Sequence, residues 1–310
     1  MLGIRRHTQE LLWYIEFLKK KKYEQTYANQ YSGRCCVLAN GPSLKNALAK
    51  YDAGELEITS DSVMVNLAAL DDHFWEIKPK HMCFSDILFC KDYEPRKEQV
   101  RTQYDMLNEK VDWDINLYLC FTNPKDVDAF KSYSRITNPK VHFVPMNEIY
   151  VEKWPKKYWK RMLDSGYFMP HKGTVGNVAL HVALLCGYQE IELYGVDSNW
   201  FLNFYMADDN HLSVMETHFY DKEGERKMKP FYSAYSNGYK PISECMGALN
   251  FAFRCHEVHA WWAKQKGVHI LNCTPESMID CFDRVGRDGQ VHQCVYDVDN
   301  MIWYQEPYFN

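Results

Sequence analysis

Cys35-Cys36-Val37-Leu38-Ala39-Asn40-Gly41-Pro42-Ser43-Leu44 decides the fold: a buried-looking apolar strand runs into a tight Asn-Gly-Pro-Ser turn and leaves as a helix. Gly41 lets the backbone pass close to a ligand. Pro42 sits where the first turn of a helix needs no N–H, and the free amides beyond it face an anion. The same unit also serves as a plain structural connection, so these ten residues leave a nucleotide site and a simple turn both open.

Working outward, strand-like and helical segments alternate. Strands are expected at residues 34–39, 62–66, 81–85, 115–121, 141–145, 190–196 and 268–273, with helical segments between most of them. That alternation predicts a Rossmann-like α/β fold, a mainly parallel central sheet with helices on both faces. In such sheets ligands bind at the carboxyl ends of the strands. The residues just past those ends are short and polar: Asn40 and Ser43 after the first strand, Asn66 after the second, Asp86 after the third, and Asp197, Ser198 and Asn199 after the sixth. Singly, such residues cap helices and make turns; as a set at one edge they converge on a nucleotide. A second glycine-flanked turn, His171-Lys172-Gly173-Thr174-Val175-Gly176-Asn177, opens the apolar helix expected at 178–186 toward the same edge.

Composition bounds the class. The chain has 310 residues, 46% apolar and 15% aromatic, with net charge -5, enough for a substantial core in one large or two modest domains. The expected parts are an N-terminal amphipathic helical segment (1–30), a nucleotide-sugar-binding core (31–200), a lid or acceptor region (201–242), a final helix-strand-helix of the core (243–285) and an aromatic tail (286–310). The acidic charge and the expected lack of a basic aromatic stripe argue against nucleic acid as a partner. No run approaches the ~18–20 apolar residues of a membrane span, and Met1 to His7 lacks the apolar core of a secretory signal. The expected location is the cytoplasm. Peripheral contact at the inner membrane surface stays open, because aromatic and apolar residues from Glu10 to Tyr23 run into Lys19-Lys20-Lys21-Lys22. The aromatic run 301–309 could pack back, bind a partner or touch lipid. Eleven cysteines, an odd number without CxxC spacing, read as reduced core residues. His256-Glu257-Val258-His259 spaces its histidines three apart, where a zinc-protease helix needs four, so no metal site is expected there.

The combination of Asn-Gly-Pro-Ser-Leu at 40–44, Thr174-x-Gly176 opening a helix, Gly187-Tyr188-x-Glu190-Ile191-x-Leu193 and Gly195-Val196-Asp197 resembles the bacterial sialyltransferases that use CMP-sialic acid. It is also similar to the wider 6-hydroxymethylpterin diphosphokinase-like domains. The match covers roughly residues 34–283. The resemblance implies a donor site in which Asn40, Gly41, Pro42 and Ser43 meet phosphate and sugar, Asn66 lies near the ribose, and Thr174, Val175 and Gly176 lie against the nucleotide. It departs from the family at Val175, where a hydroxyl is lost, at Asp86, which stands for an Asn, and at Ser198-Asn199-Trp200, where aromatics including a phosphate-binding Tyr are usual.

Sugar transfer needs a base for the acceptor hydroxyl and donors for the departing phosphate. His218, with Asp221 as an orienting carboxylate, and His211 are the candidate bases, since histidine titrates near neutral pH. Tyr232 and Tyr235, in the hydroxyl-rich stretch 231–239, are the candidate phosphate donors. The expected partners are a nucleotide-sugar, CMP-linked by preference, and a glycan or lipid-linked glycan acceptor, with inversion at the anomeric carbon and no cofactor required. A pyrophosphokinase using ATP would instead need Mg²⁺ held by carboxylates such as Asp86 and Asp197. A non-catalytic nucleotide- or glycan-binding module is the third possibility.

Overall fold

A computed structural model describes residues 11–305 except 13, 16, 20, 25–26, 95, 122, 216–227 and 233–237. The described residues begin with helical positions at 11–12, 14–15 and 17–19, labelled α1. There follow β1 (Arg34–Leu38), α2 (Leu44–Asp52), β2 (Ser62–Val65), α3 (Asp72–Ile77), β3 (His81–Phe84), α4 (Lys97–Lys110), β4 (Ile115–Leu119), α5 (Pro124–Ser134) and β5 (Val141–Pro145). The second half holds α6 (Trp159–Asp164), α7 (Val175–Cys186), β6 (Glu190–Tyr194), β7 (Phe204–Met206), β8 (Leu212–Val214), β9 (Lys229–Pro230), α8 (Ile242–Lys266), β10 (His269–Asn272), β11 (Asp283–Val285) and β12 (Val291–His292). All seven strands expected from the sequence are present.

Nine strands form the main sheet in the order β12-β11-β10-β6-β1-β2-β3-β4-β5, and β7-β8-β9 form a small separate sheet. Pairing in the main sheet is parallel except between β11 and β12. The central strands are mainly apolar because both faces are covered. Cys35, Val37 and Ala39 face one core layer with α7 and α8, while Cys36 and Leu38 face the other, built with α2 to α5. Helix α7 is apolar on every side except at Asn177 and His181, and every residue from Gly176 to Cys186 is buried between sheet and α8.

The winding reverses beside β1. From β1 the chain adds β2, β3, β4 and β5 outward on one side, then crosses back to place β6 on the other side of β1, with Arg34 opposite Glu190 and Leu38 opposite Tyr194. The carboxyl ends of β1 and β6 therefore flank the topological switch point, the crevice where doubly wound sheets bind ligands.

The cysteines among the described residues are free, and only Cys273 and Cys294 are not buried. The described part of the aromatic tail packs back: Met301 and Trp303 join the core, and the Tyr304 hydroxyl accepts the Lys156 N–H at 2.6 Å. Among the described residues no helix is long and apolar enough to cross a membrane.

Candidate functional site

Past their last paired residues β1 and β6 stay zipped. Ala39 N–H donates to Tyr194 O and Gly41 N–H to Gly195 O, both at 2.9 Å. The approach is so close that a Cβ on Gly41 would stand 1.8 Å from Asp197 Oδ2 and 2.4 Å from Gly195 O. Glycine is required here for space, and Gly195 for its φ of +66° as well. Ser43 is the N-cap of α2 but makes no capping bond; its Oγ donates instead to Asp197 Oδ2 at 2.8 Å. Asp197 is 5% exposed, and burial pushes its carboxyl above the usual range although Ser43 pulls it back. Pro42 lies inside the turn that Leu44 N–H closes on Gly41 O at 3.0 Å.

The second bend reaches the same rim. A Cβ on Gly176 would lie 3.8 Å from Val196 Cγ1 and 4.0 Å from the Ala39 Cβ, so the start of α7 sits against the ends of both β6 and β1. The helix begins at Val175, three residues earlier than the sequence reading placed it. The cause is a capping box. Thr174 Oγ1 accepts the Asn177 N–H at 3.3 Å, and Asn177 Oδ1 accepts the N–H groups of Gly173 and Thr174 at 2.9 and 3.0 Å. Asn177 Nδ2 also donates to Ala252 O at 3.1 Å, which fixes α7 to α8. The cap serves the third amide of the helix; those of Val175 and Gly176, the first two, have no partner within it.

Two acceptors on this rim are orphaned. Asn40 Oδ1 and Asn66 Oδ1, at the ends of adjacent strands β1 and β2, are buried atoms without a hydrogen-bond partner. Each such atom costs about 1–3 kcal/mol. Asn66 adopts φ 52° while its N–H donates to Cys83 O at 3.0 Å, and Ser198 adopts φ 51°. Left-handed non-glycine residues of this kind gather at functional sites. Asn199 Nδ2 reaches Glu276 O at 3.5 Å.

Other residues past the strand ends and in the small sheet behave differently. Asp86, one strand further out, is exposed and caps a short helical turn by accepting the Leu88 N–H at 3.0 Å. Thr274 and Ser277, beyond β10, tie that segment to β6: the Thr274 hydroxyl accepts the Val196 N–H at 3.3 Å and the Ser277 hydroxyl donates to Val196 O at 2.7 Å. His211 stands by the small sheet, its Nδ1 2.5 Å from Asp209 Oδ1 and its ring stacked on Tyr239 at 4.6 Å. Tyr239 stacks in turn on Tyr232 at 5.3 Å, giving a column of three rings. His218, Asp221 and Tyr235 lie outside the described residues.

The sequence reading missed a polar group beside the second bend. Lys172 forms a buried ion pair with Glu148; burial works against its charge, but neighbours including Glu148 outweigh this and hold its pKa above the usual value. Glu152 is buried and accepts the His171 N–H at 2.8 Å through Oε1, while Oε2 has no partner. Burial pushes its carboxyl up to about 7. It lines a cavity of about 70 Å³ with Tyr150, His171, Phe251, Arg254 and Trp303. Glu148 and Glu152 follow the fifth strand, so the rule that selected Asn40 and Asn66 would have found them there.

His256 and His259 are buried in α8, where both ring nitrogens of His256 lack partners and His259 Nε2 lies 3.4 Å from His181 Nδ1. Among the described residues no group of three or more His, Cys, Asp or Glu side chains could hold a metal ion.

No family model and no curated protein matches the chain. Among solved structures it is similar to the sialyltransferase CstII from Campylobacter jejuni in complex with a substrate analogue, cytidine-5'-monophosphate, at 17% identity and a TM-score of 0.39, covering 81% of this chain and 83% of that chain. That is a likeness of fold alone.

Proposed function

We propose that the rim between β1, β2, β6 and α7 binds a nucleotide-activated sugar and that the protein transfers the sugar to a hydroxyl of a cell-surface glycan precursor. The observation that carries this reading is the pair of buried, unpartnered acceptors, Asn40 Oδ1 and Asn66 Oδ1, beside the open N-terminus of α7 at the switch point. The acceptors suit donors on a ribose or base. The first amides of α7 suit phosphate, toward which a helix N-terminus is electropositive; the amides of the Gly41 turn, expected from the sequence to face an anion, are instead spent within the fold, Gly41 N–H on Gly195 O and Leu44 N–H on Gly41 O.

In the reaction the acceptor oxygen attacks the anomeric carbon, the bond from that carbon to the phosphate oxygen breaks, and the configuration inverts. A histidine takes the acceptor's proton and the nucleotide leaves with the bonding pair. His211, held beside Asp209 and stacked on Tyr239, is the base candidate among the described residues, and His218 remains the other. Tyr232 and Tyr235 would donate to the leaving phosphate without a metal. The motif resemblance favours a CMP-linked sugar.

Incubation with CMP-, UDP-, GDP- and ADP-linked sugars tests the assignment. Release of CMP that survives EDTA and drops roughly a hundredfold or more in His211→Ala or His218→Ala is the expected result. Turnover of ATP that EDTA abolishes would instead identify a pyrophosphokinase.

A further inference from the structure

We infer that the protein docks on an anionic lipid bilayer through the surface that α1 and the run Lys153–Arg161 form. Of the described residues in α1, Leu11, Leu12, Tyr14, Ile15 and Leu18 are all exposed, and only Phe17 turns inward. Lysines follow directly, with Lys19, Lys21 and Lys22 exposed. The second element, directly after Glu152, reads Lys153-Trp154-Pro155-Lys156-Lys157-Tyr158-Trp159-Lys160-Arg161. It holds five cations and no acid, a local basic aromatic run that the acidic total of the chain conceals. Lys157, Arg161 and the Tyr158 ring are exposed, with Lys157 over Tyr158 at 4.7 Å, while the exposed Lys160 is paired with Asp164 at 2.6 Å.

These two elements form one surface because Phe168 joins them. The Phe17 ring stacks on Phe168 at 5.1 Å, and Phe168 meets Trp154 edge-on at 5.8 Å. Lys21 sits 4.2 Å over the Tyr167 ring. Its α1 end is tied down just past β5. Asn147, two residues past β5, accepts the N–H groups of Lys22 and Tyr23 at 2.9 and 3.0 Å and donates to Tyr23 O at 2.7 Å.

Charge complementarity selects the occupant. A polyanion such as RNA would use the cations but leave the bare apolar side chains of α1 in water, and an apolar partner helix would leave the cations unused. An anionic bilayer takes both, with leucine and isoleucine below the headgroups, tyrosine and tryptophan at their level, and lysine and arginine against the phosphates. If the transferase reading holds, the acceptor it meets there is membrane-borne; the docking itself does not depend on that reading.

Co-sedimentation of the full chain with vesicles of phosphatidylcholine, with and without phosphatidylserine, tests the inference. Binding to the serine-lipid vesicles is expected to be at least roughly tenfold tighter and to weaken with salt. Lys157→Glu with Arg161→Glu, and separately Leu12→Glu with Ile15→Glu, should each reduce it by roughly tenfold or more while the melting temperature and any nucleotide-induced shift stay unchanged. Binding to neither vesicle, equal binding to both, retention by RNA alone, or a charge-reversed protein that binds as well as the wild type would each overturn it.

Discussion

Ser43 and Asp197 stand 154 residues apart in the chain, and the Ser43 hydroxyl donates a 2.8 Å hydrogen bond to the Asp197 carboxylate. The bond closes the switch point: it joins the turn after β1 to the turn after β6 and places both beside the start of α7. Ser43 gives up the capping role its position offers in order to make it. Removing the hydroxyl leaves a buried carboxyl oxygen short of a partner, so Ser43→Ala is expected to lose about 1–3 kcal/mol of stability in urea denaturation.

Two glycines should respond oppositely to the same change. Gly41→Ala drives a Cβ into Asp197 and the Gly195 carbonyl, and a loss of about 2–4 kcal/mol is expected because backbone cannot yield there. Gly247, in α8, has open space where a Cβ would go, so Gly247→Ala should gain about 0.5–1 kcal/mol of helix stability. Denaturation midpoints of the two variants check both signs.

Acid should unfold this protein early. Burial pushes His81, His181 and His256 down to about 3 and lowers His259 as well. A base depressed in the folded state contributes stability that is present above its unfolded value of about 6.5 and is lost as pH falls toward 3. Four such groups approach a slope of about 5 kcal/mol per pH unit in that window. His256→Leu removes one of them, and with it two unpaired ring nitrogens. The variant should be more stable at pH 7 and lose close to one proton from the slope measured by denaturation between pH 4 and pH 6.

Glu152 works in the opposite direction. Its carboxyl is pushed up to about 7 from 4.5, so it favours the folded state below 4.5, and that contribution is lost as pH rises through 7. Glu152→Gln should remove the loss and gain up to about 3 kcal/mol over the wild type at pH 8, with little difference at pH 4.

Much of the fold was legible because long apolar strands and glycine turns are local signals, and every strand of four or more residues in the main sheet carries one. Strands β11 and β12 escaped notice because they are three and two residues long and lack an apolar run. The small sheet β7-β8-β9 was missed for the same reason. At the site, Asn40, Asn66 and Asp197 could be found by their place after strands. Their states could not: that Asp197 is buried and bonded to Ser43, that Asp86 is exposed and spent on a cap, and that Glu152 is buried while Lys153 beside it is exposed all depend on contacts far away in sequence. Whole-chain charge likewise hid the cations at 153–161, because it averages over a surface that is locally uneven.

The central claim, that the rim grips a nucleotide, is tested most directly by calorimetric titration of CMP into the wild type and into Asn40→Ala with Asn66→Gly. Glycine keeps the left-handed backbone of residue 66 without strain, so the double variant removes two orphaned acceptors and should fold at least as stably as the wild type. The account expects CMP to bind the wild type and to bind the double variant roughly tenfold or more weakly. A wild type that takes up no CMP, or a variant that binds it undiminished, would contradict it.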